Sequence, residues 1–433
     1  MSDPILTLAP HLESAARLTP AAPALLTSGG DWDFAGLWRE IGRQAADLTF
    51  SHTPLPLAAG STALAFAAYA CSLAGRPLWP LDPEKPAPAP ARAPATAPGT
   101  ALVISTSGSE GEPKAAMLSA ANLDAAAAAS NVRLPLGPGD IWLDCLPLFH
   151  IGGQSILWRC ARAGAAVLLH EGFDAGSVVR DLAARRVTHL SLVPAMLARL
   201  LDLDAAPPPF LRCVLVGGAA LSKPLYERAM AAGWPLFPTY GMSETAAQVA
   251  TFDPASGTWE EGLVGHPLPG NEVSIGTDGR VRLRGPQVML GYLEPGGRAG
   301  VGLEDGWFAT GDLGRIEADG CLRILGRADA MLVSGGSNVH PLAVESCLAA
   351  CPGIADVAVA GLPHPVWGDL VVALVVGEAS DQHILDWSRA RLPAAARPRR
   401  IVRLERLPRN AMGKLERGAL RAFLGQLDCG VAA

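Results

Sequence analysis

The chain is 433 residues long, 49% hydrophobic and 18% charged, with a formal net charge of −6. That length and apolar content can bury more than one core, on the order of two to three domains. A slight excess of acid and the lack of a polybasic tract argue against a nucleic-acid or anionic-membrane surface.

The N-terminus, "MSDPILTLAPHLES", has an early acid and no basic stretch ahead of an apolar core, so it does not read as a signal peptide. The run "LAAGSTALAFAAYACSLAG" (57–75) approaches membrane length. Its alanine content and the break at Gly60, Ser61 and Thr62 predict a buried helix and no membrane span. "PEKPAPAPARAPATAPG" (83–99) reads as a stiff low-complexity linker, too poor in alternating apolar residues to form a core.

From about residue 100, strand-like and helix-like runs alternate. "ALVIS" (101–105) leads into "TSGSEGEPK", after which Ser119 is placed to cap the helix "AANLDAAAAAS". "IWLDCLP" (141–147), "AAVLLH" (165–170), "THLSLV" (188–193) and "RCVLVGG" (212–218) predict strands. Asp174, Pro194 and a segment from about Leu221 open the intervening helices. Short connections between such runs imply a parallel α/β sheet. Beyond Gly265, Asp278-Gly279 and Asp319-Gly320 each sit between period-2 runs and predict β-hairpins. From about residue 330 a smaller α+β pattern follows: a helix near 341–350, strands near 355–360 and 370–376, a helix near 382–391 and a strand near 400–404.

Eight cysteines are scattered without a CxxC pair, and Cys347 and Cys351 are spaced i, i+4. Small core hydrophobes in a reducing cytoplasm account for them. Lysine occurs only at Lys85, Lys114, Lys223 and Lys414, so each lysine in a loop motif carries weight.

The loop 105–115 has two readings. Gly108 and Gly111 permit the dihedrals of an anion-binding nest, Thr106, Ser107 and Ser109 add hydroxyl donors, and Lys114 adds a point charge. An ordinary surface loop is the alternative, and the lysine lacks the Ser/Thr that would follow it in a Walker A loop. "PTYGMSETAAQ" (238–248) places Glu244 where a carboxylate could hold Mg²⁺ against a phosphate, or where it simply starts a helix. "FATGDLG" (308–314) puts Asp312 between glycines, as a ribose acceptor or as an Asx-turn. Lys414, in "LPRNAMGKLERGAL" (407–420), is by itself a solvated surface charge.

Taken in order, the loop 105–115, "VGGAAL" (216–221) and the segments 239–245, 310–314, 326–345 and 408–417 resemble the adenylate-forming superfamily of acyl-CoA synthetases, luciferases and peptide-synthetase adenylation domains. The resemblance spans about residues 57–420. "PLFHIGGQSILWRCARAGAAVLLHEGFDA" (147–175) and "TYGMSETAAQVATF" are most similar to the o-succinylbenzoate–CoA ligase branch.

The resemblance implies an α/β fold: a large N-terminal domain (1–327) with mixed or parallel sheets, helices and β-hairpins, its first subdomain (1–99) shortened. A small mobile α+β domain (328–433) would follow. It also implies ATP, Mg²⁺ and coenzyme A as cofactors and a carboxylic acid as substrate. Thr106 to Lys114 would hold the β- and γ-phosphates, and Glu244 with Thr106 would hold the metal. Gly217, Gly218, Ala219 and Tyr240 would border the adenine, with Gly241, Met242 and Ser243 completing the nucleotide site and Thr245 contacting the α-phosphate. Asp312 and Arg327 would hold the ribose, and Asp329 would be the hinge. Lys414 would contact the carboxylate and the α-phosphate, and Gly335 and Gly336 would face the pantetheine tunnel. His150 would gate the acid pocket, which Gly152, Gly153, Ser191, Gly241 and Gln248 would line.

Two residues depart from the superfamily's pattern: Glu110 replaces a threonine and Ala115 a glycine. The expected pocket stretches Phe149–Gln154, Ser191–Pro194, Val216–Ala219 and Gly241–Gln248 contain no arginine to pair a second substrate carboxylate. The expected activity is a two-step carboxylate–CoA ligase acting on an aryl or acyl acid of the o-succinylbenzoate type. The alternatives are an enzyme loading a separate carrier protein and a non-catalytic binder of nucleotide or acyl-adenylate. A homodimer is compatible with the resemblance.

Overall fold

The computed structural model describes residues 8–84, 94–106, 114–409 and 415–429. Its framework is a thirteen-stranded sheet that is parallel in one half and antiparallel in the other. In the parallel half Pro23–Thr27, Ala166–Leu169, Ile141–Asp144, His189–Leu192, Cys213–Val216 and Leu236–Met242 lie side by side. Alternate residues of these strands enter two different cores. Trp142, Val167 and Leu215 pack with the helices Leu8–Leu18, Phe34–Ala45, Ser61–Ala74, Ala120–Arg133 and Ile151–Ala163. Leu143, Leu168 and Val214 pack on the other face with Ala175–Ala184 and Pro194–Leu201. Both faces are therefore covered, as a parallel sheet requires.

The predicted caps are in place. Ser119 forms a capping box with Asn122, Asp174 accepts from the Ser177 N–H at 2.8 Å, and Pro194 occupies the first turn of its helix. The expected strand 141–147 stops at Asp144 because its carboxylate accepts the Leu146 N–H at 3.1 Å and turns the chain before Pro147. Both DG turns join antiparallel strands, Glu272–Ile275 with Arg280–Arg284 and Phe308–Ile316 with Leu322–Arg327.

Two expectations are corrected. The loop after "ALVIS" does not run into the capped helix, since a strand, Ala115–Ser119, intervenes and pairs back on Thr100–Ser105. These two strands belong to a second, five-stranded sheet, which also contains Leu55–Ala58, Leu78–Leu81 and Gly291–Tyr292. The Pro/Ala tract is not wholly a spacer either. Ala97 is 1% exposed and packs with Val103 and Met117, while Thr96 donates from its N–H and its hydroxyl to the His52 carbonyl.

The segment after Ala330 has cores of its own, built from residues 332–424 alone. Its sheet carries Gly368–Gly377 between Ile354–His364 and Arg400–Arg403, with Leu332–Ser334 and Ser337–Val339 beyond. It touches the body where Ser346 Oγ donates to Glu261 and where Arg421 Nη2 donates to the Asp329 carbonyl at 2.8 Å.

The helix Ser61–Ala74 has a glycine at its N-cap and so no side chain of its own for the first N–H groups. Glu171 reaches across to accept from the Ser61 N–H at 2.6 Å and the Thr62 N–H at 3.1 Å, in space that a Cβ on Gly60 would fill. Glu171→Ala is expected to cost about 0.5–2 kcal/mol, the usual range for a lost cap. The measurement is the urea midpoint, which falls while the slope stays constant.

Candidate active site

A cleft of about 2300 Å³ opens at the carboxyl ends of His189–Leu192, Cys213–Val216 and Leu236–Met242. Parallel sheets place ligands at that end, where the strands finish and helices begin. The antiparallel strand Ala247–Thr251 joins Leu236–Met242 here, through a bulge between Tyr240 and Gly241. A Cβ on Gly241 would collide with the Ala247 carbonyl, so only glycine permits the close approach.

At one end of the cleft Thr106 closes the base of the hairpin loop. Its N–H and hydroxyl donate to the Lys114 carbonyl at 2.7 and 3.1 Å. The Lys114 ammonium lies 4.9 Å from the centre of the Tyr292 ring, a cation–π contact. The Tyr292 hydroxyl in turn donates to Glu244 Oε1 at 2.8 Å. Burial, reinforced by the Glu244 charge, raises the Tyr292 pKa, so the phenol stays a donor. Tyr292 was not anticipated from sequence. It stands in the two-residue strand Gly291–Tyr292 and meets its partners only because that strand pairs with Ala115–Ser119.

These groups suit a divalent cation among phosphates. Glu244 and Thr106 line the same cleft, and the second Glu244 carboxylate oxygen has no hydrogen-bond partner among the described residues. An anionic oxygen set of this kind suits Mg²⁺.

Further along, Asp312 and Arg327 are register partners across their hairpin. Asp312 Oδ2 accepts from the Tyr240 hydroxyl at 2.7 Å, and Oδ1 lies 3.6 Å from the Arg327 guanidinium. Burial and then the Asp312 charge hold the Tyr240 pKa well above the usual phenol range. Arg327 also forks onto Asp329, with Nε and Nη2 each 3.1 Å from a carboxylate oxygen. Burial opposes its charge, but the Asp329 bonds and the Asp312 charge outweigh that and raise its pKa. A Cβ on Gly311 would strike the guanidinium. Asp329 occupies the turn Ala328–Ala330 between hairpin and C-terminal segment.

Gly217, Gly218 and Ala219 border the cleft after Cys213–Val216. A Cβ on Gly217 would come within 2.7 Å of Thr239 Cγ2, and Gly218 has φ +79°. Met242 and Ser243 also line the cleft. Thr245 does not, which corrects the expected α-phosphate contact. Its side chain is turned inward at 1% exposure, with its hydroxyl within 3.2 Å of the Met242 carbonyl and 3.3 Å of the Ala247 carbonyl. Ser243, on the other side of Glu244, does line the cleft.

At the acid end His150, Gly152, Ser191 and Gln248 line the cleft. Gly153 does not; a Cβ there would come within 3.0 Å of the Leu146 and Pro147 carbonyl oxygens, a packing role in place of the expected pocket contact. The Gln248 amide is satisfied at both ends, by Ser130 at 2.6 Å and Thr251 at 2.8 Å, and Ser191 Oγ accepts from the Trp142 indole at 3.0 Å. Gly335 and Gly336 lie outside the cleft, in the turn between Leu332–Ser334 and Ser337–Val339. Ser107, Gly108, Ser109, Gly111, Glu110 and Lys414 fall outside the described residues.

The sequence reading also missed Arg159. It lies in the helix Ile151–Ala163, is 3% exposed and borders the cleft with its guanidinium 5.2 Å from the Trp142 ring. No carboxylate among the described residues forms an ion pair with it. Burial pulls its pKa down to about 10 and pushes the nearby Asp144 carboxyl well above the usual range. An arginine inside a helix buried on every face was the available signal; which wall it faced was not.

The AMP-binding enzyme family matches residues 74–293, and the AMP-binding enzyme C-terminal domain matches residues 343–414. The chain belongs to the AMP-binding enzyme family. A 2-succinylbenzoate--CoA ligase from Bacillus cereus is 36% identical over 338 residues, covering 75% of this chain and 70% of the relative. The o-succinylbenzoate CoA synthetase of Bacillus subtilis in complex with its acyl-adenylate intermediate superposes with a TM-score of 0.84 at 29% identity, over 97% of this chain and 99% of that one. In complex with ATP and magnesium ion the TM-score is 0.83 at 29% identity, over 95% and 98%. A double mutant of the same synthetase bound with a product analogue gives 0.68, again at 29% identity over 95% and 98%. This chain's α/β fold, with a large N-terminal and a small C-terminal part, is theirs.

Asp312→Ala removes an acceptor from the cleft and the anchor of Tyr240. A lost charge-assisted hydrogen bond is worth about 1.5–3 kcal/mol. The expected outcome is therefore about a ten- to hundredfold rise in the KM for ATP with the KM for thiol unchanged.

Proposed function

We propose that this protein is an ATP-dependent carboxylate–CoA ligase whose acid is o-succinylbenzoate or a close analogue. The observation that carries the reading is convergence. Lys114, the Tyr292–Glu244 pair and the Tyr240–Asp312–Arg327 set border one cleft, together with Arg409, Leu415 and Arg417 from either side of Lys414.

A carboxylate cannot exchange oxide for a thiol at neutral pH, so the acid is first joined to AMP. One carboxylate oxygen attacks the α-phosphorus, the bond to the β-phosphate oxygen breaks, and pyrophosphate leaves with the electron pair. The CoA thiolate then attacks the acyl carbon, and AMP leaves as the thioester forms. The first step brings an anion against a polyanion and needs concentrated positive charge. Lys114 and Lys414 supply it, while Ser243 donates to the phosphate beside them. Mg²⁺, held by Glu244 and Thr106, neutralises phosphate charge when bound. Tyr292 orients Glu244 and keeps the Lys114 ammonium against the loop. Tyr240 and Arg327 fix Asp312 to receive the ribose hydroxyls. The body ends near residue 327, and rotation about Asp329 withdraws Lys414 for the second step and brings Gly335 and Gly336 to the thiol channel. His150 stands between acid and thiol routes. ATP, CoA and unpaired cysteines fit a cytoplasmic site of action.

o-Succinylbenzoate has two carboxylates. One is activated, and the other needs a cation in a dry wall, for which Arg159 is placed. Pyrophosphate release across a panel of acids tests the whole reading. The dicarboxylate should be preferred, and ADP as the product nucleotide, or no pyrophosphate with any acid, would refute it. Arg159→Met should erase about 2 kcal/mol or more of preference for the second carboxylate, roughly the value of a buried charged hydrogen bond, while monocarboxylate turnover persists. Lys414→Ala should lower adenylation by about 10²–10³, the usual cost of one preorganised donor, and leave thioester formation from supplied acyl-adenylate intact. Replacing CoA by a phosphopantetheinyl carrier identifies the acceptor.

A further inference from the structure

We propose that His266, Asp319 and Cys321 form a binding site for a borderline divalent cation of the Zn²⁺ type, separate from the cleft. His266 lies on the strand Leu263–Pro267, and Asp319 and Cys321 lie in the turn between Phe308–Ile316 and Leu322–Arg327. One ligand atom from each, an imidazole nitrogen, a carboxylate oxygen and a thiol sulfur, comes within 4.8 Å of the other two. The cleft wall contains none of the three.

The local backbone builds this meeting. Leu263–Pro267 pairs with Leu322–Arg327 through Leu263 with Arg323 and Gly265 with Leu322, which brings His266 over the turn. Gly320, at φ +86°, makes the tight turn that places Asp319 and Cys321 on either side of it, next to the imidazole. Asp319 Oδ1 accepts the Cys321 N–H at 2.9 Å, leaving Oδ2 for a ligand. The His266 imidazole makes no hydrogen bond among the described residues, and Cys321, at 4% exposure, forms the closed floor below it.

Bonds of about 2.0–2.3 Å to zinc in tetrahedral geometry set donors roughly 3.3–3.8 Å apart. The three atoms therefore need to close by about 1 Å, which surface rotamers of His266 and Asp319 can supply. A nitrogen, sulfur and oxygen set favours Zn²⁺ or Co²⁺ over Mg²⁺, which prefers oxygen alone. On binding, the thiol releases its proton to solvent and a water completes the fourth position. The ion would staple the strand Leu263–Pro267 to the turn of the hairpin that carries Asp312 and Arg327 at its other end.

The test is Co²⁺ titration of the full chain after dialysis against chelator, read by thiolate-to-cobalt absorption, with Zn²⁺ as competitor. One equivalent should bind, Zn²⁺ should displace it, and Zn²⁺ should raise the melting temperature. His266→Ala and Asp319→Ala, both changes at the surface, should lose the absorption and the thermal shift while keeping ligase activity in Mg²⁺. Cys321→Ser should also lose the absorption. Absence of a thiolate–cobalt band in the parent chain, or an undiminished band in His266→Ala, overturns the site.

Discussion

Arg327 is the residue through which the parts of the molecule act on one another. Its guanidinium lies between Asp312, which faces the cleft, and Asp329, in the turn leading to the C-terminal segment. Tyr240, from the bulged strand of the large sheet, holds the same Asp312. Arg421, from the last helix, holds the Asp329 carbonyl. Cleft, sheet and C-terminal segment thus share one chain of hydrogen bonds joined by the Asp312–Arg327 ion pair. Its partly buried charges are stable only because each is answered by another.

A second constraint is charge. The chain is acidic overall and has four lysines, yet the proposed chemistry gathers anions. Positive charge is therefore placed locally. Lys114 is held by the Tyr292 ring, and Arg159 is held over Trp142. Neither forms an ion pair with a carboxylate among the described residues. The C-terminal segment follows another rule: its buried Glu345 is matched by Arg417, with both Nη2 contacts at 3.0 Å. That pair is structural and leaves no free charge.

Periodic elements were legible along the chain. The capped helices at Ser119 and Asp174, the Pro194 helix and both DG hairpins rest on local rules that tertiary packing did not override. The strand Ala115–Ser119 was missed because it follows the glycine-rich loop without a turn signal of its own and ends at the residue that caps the next helix. Ala97 was missed because alanine in a proline-rich tract has no pattern; only the neighbouring Met117 made it core. In the site, ordered motifs located Lys114, Glu244, Asp312 and Arg327. They could not tell Ser243 from Thr245, on either side of Glu244, because a tight turn buries Thr245 while Ser243 stays on the cleft wall.

Family membership, the fold class and the charged residues that stand in ordered motifs were determined by sequence alone, since motif order and local propensity survive without knowledge of packing. Tertiary structure alone decided that Tyr292 serves Glu244, that Arg159 borders the cleft, and that His266 meets Asp319 and Cys321. Each of these contacts depends on strand register and helix phase, and a change of one residue in either turns a side chain to the opposite face.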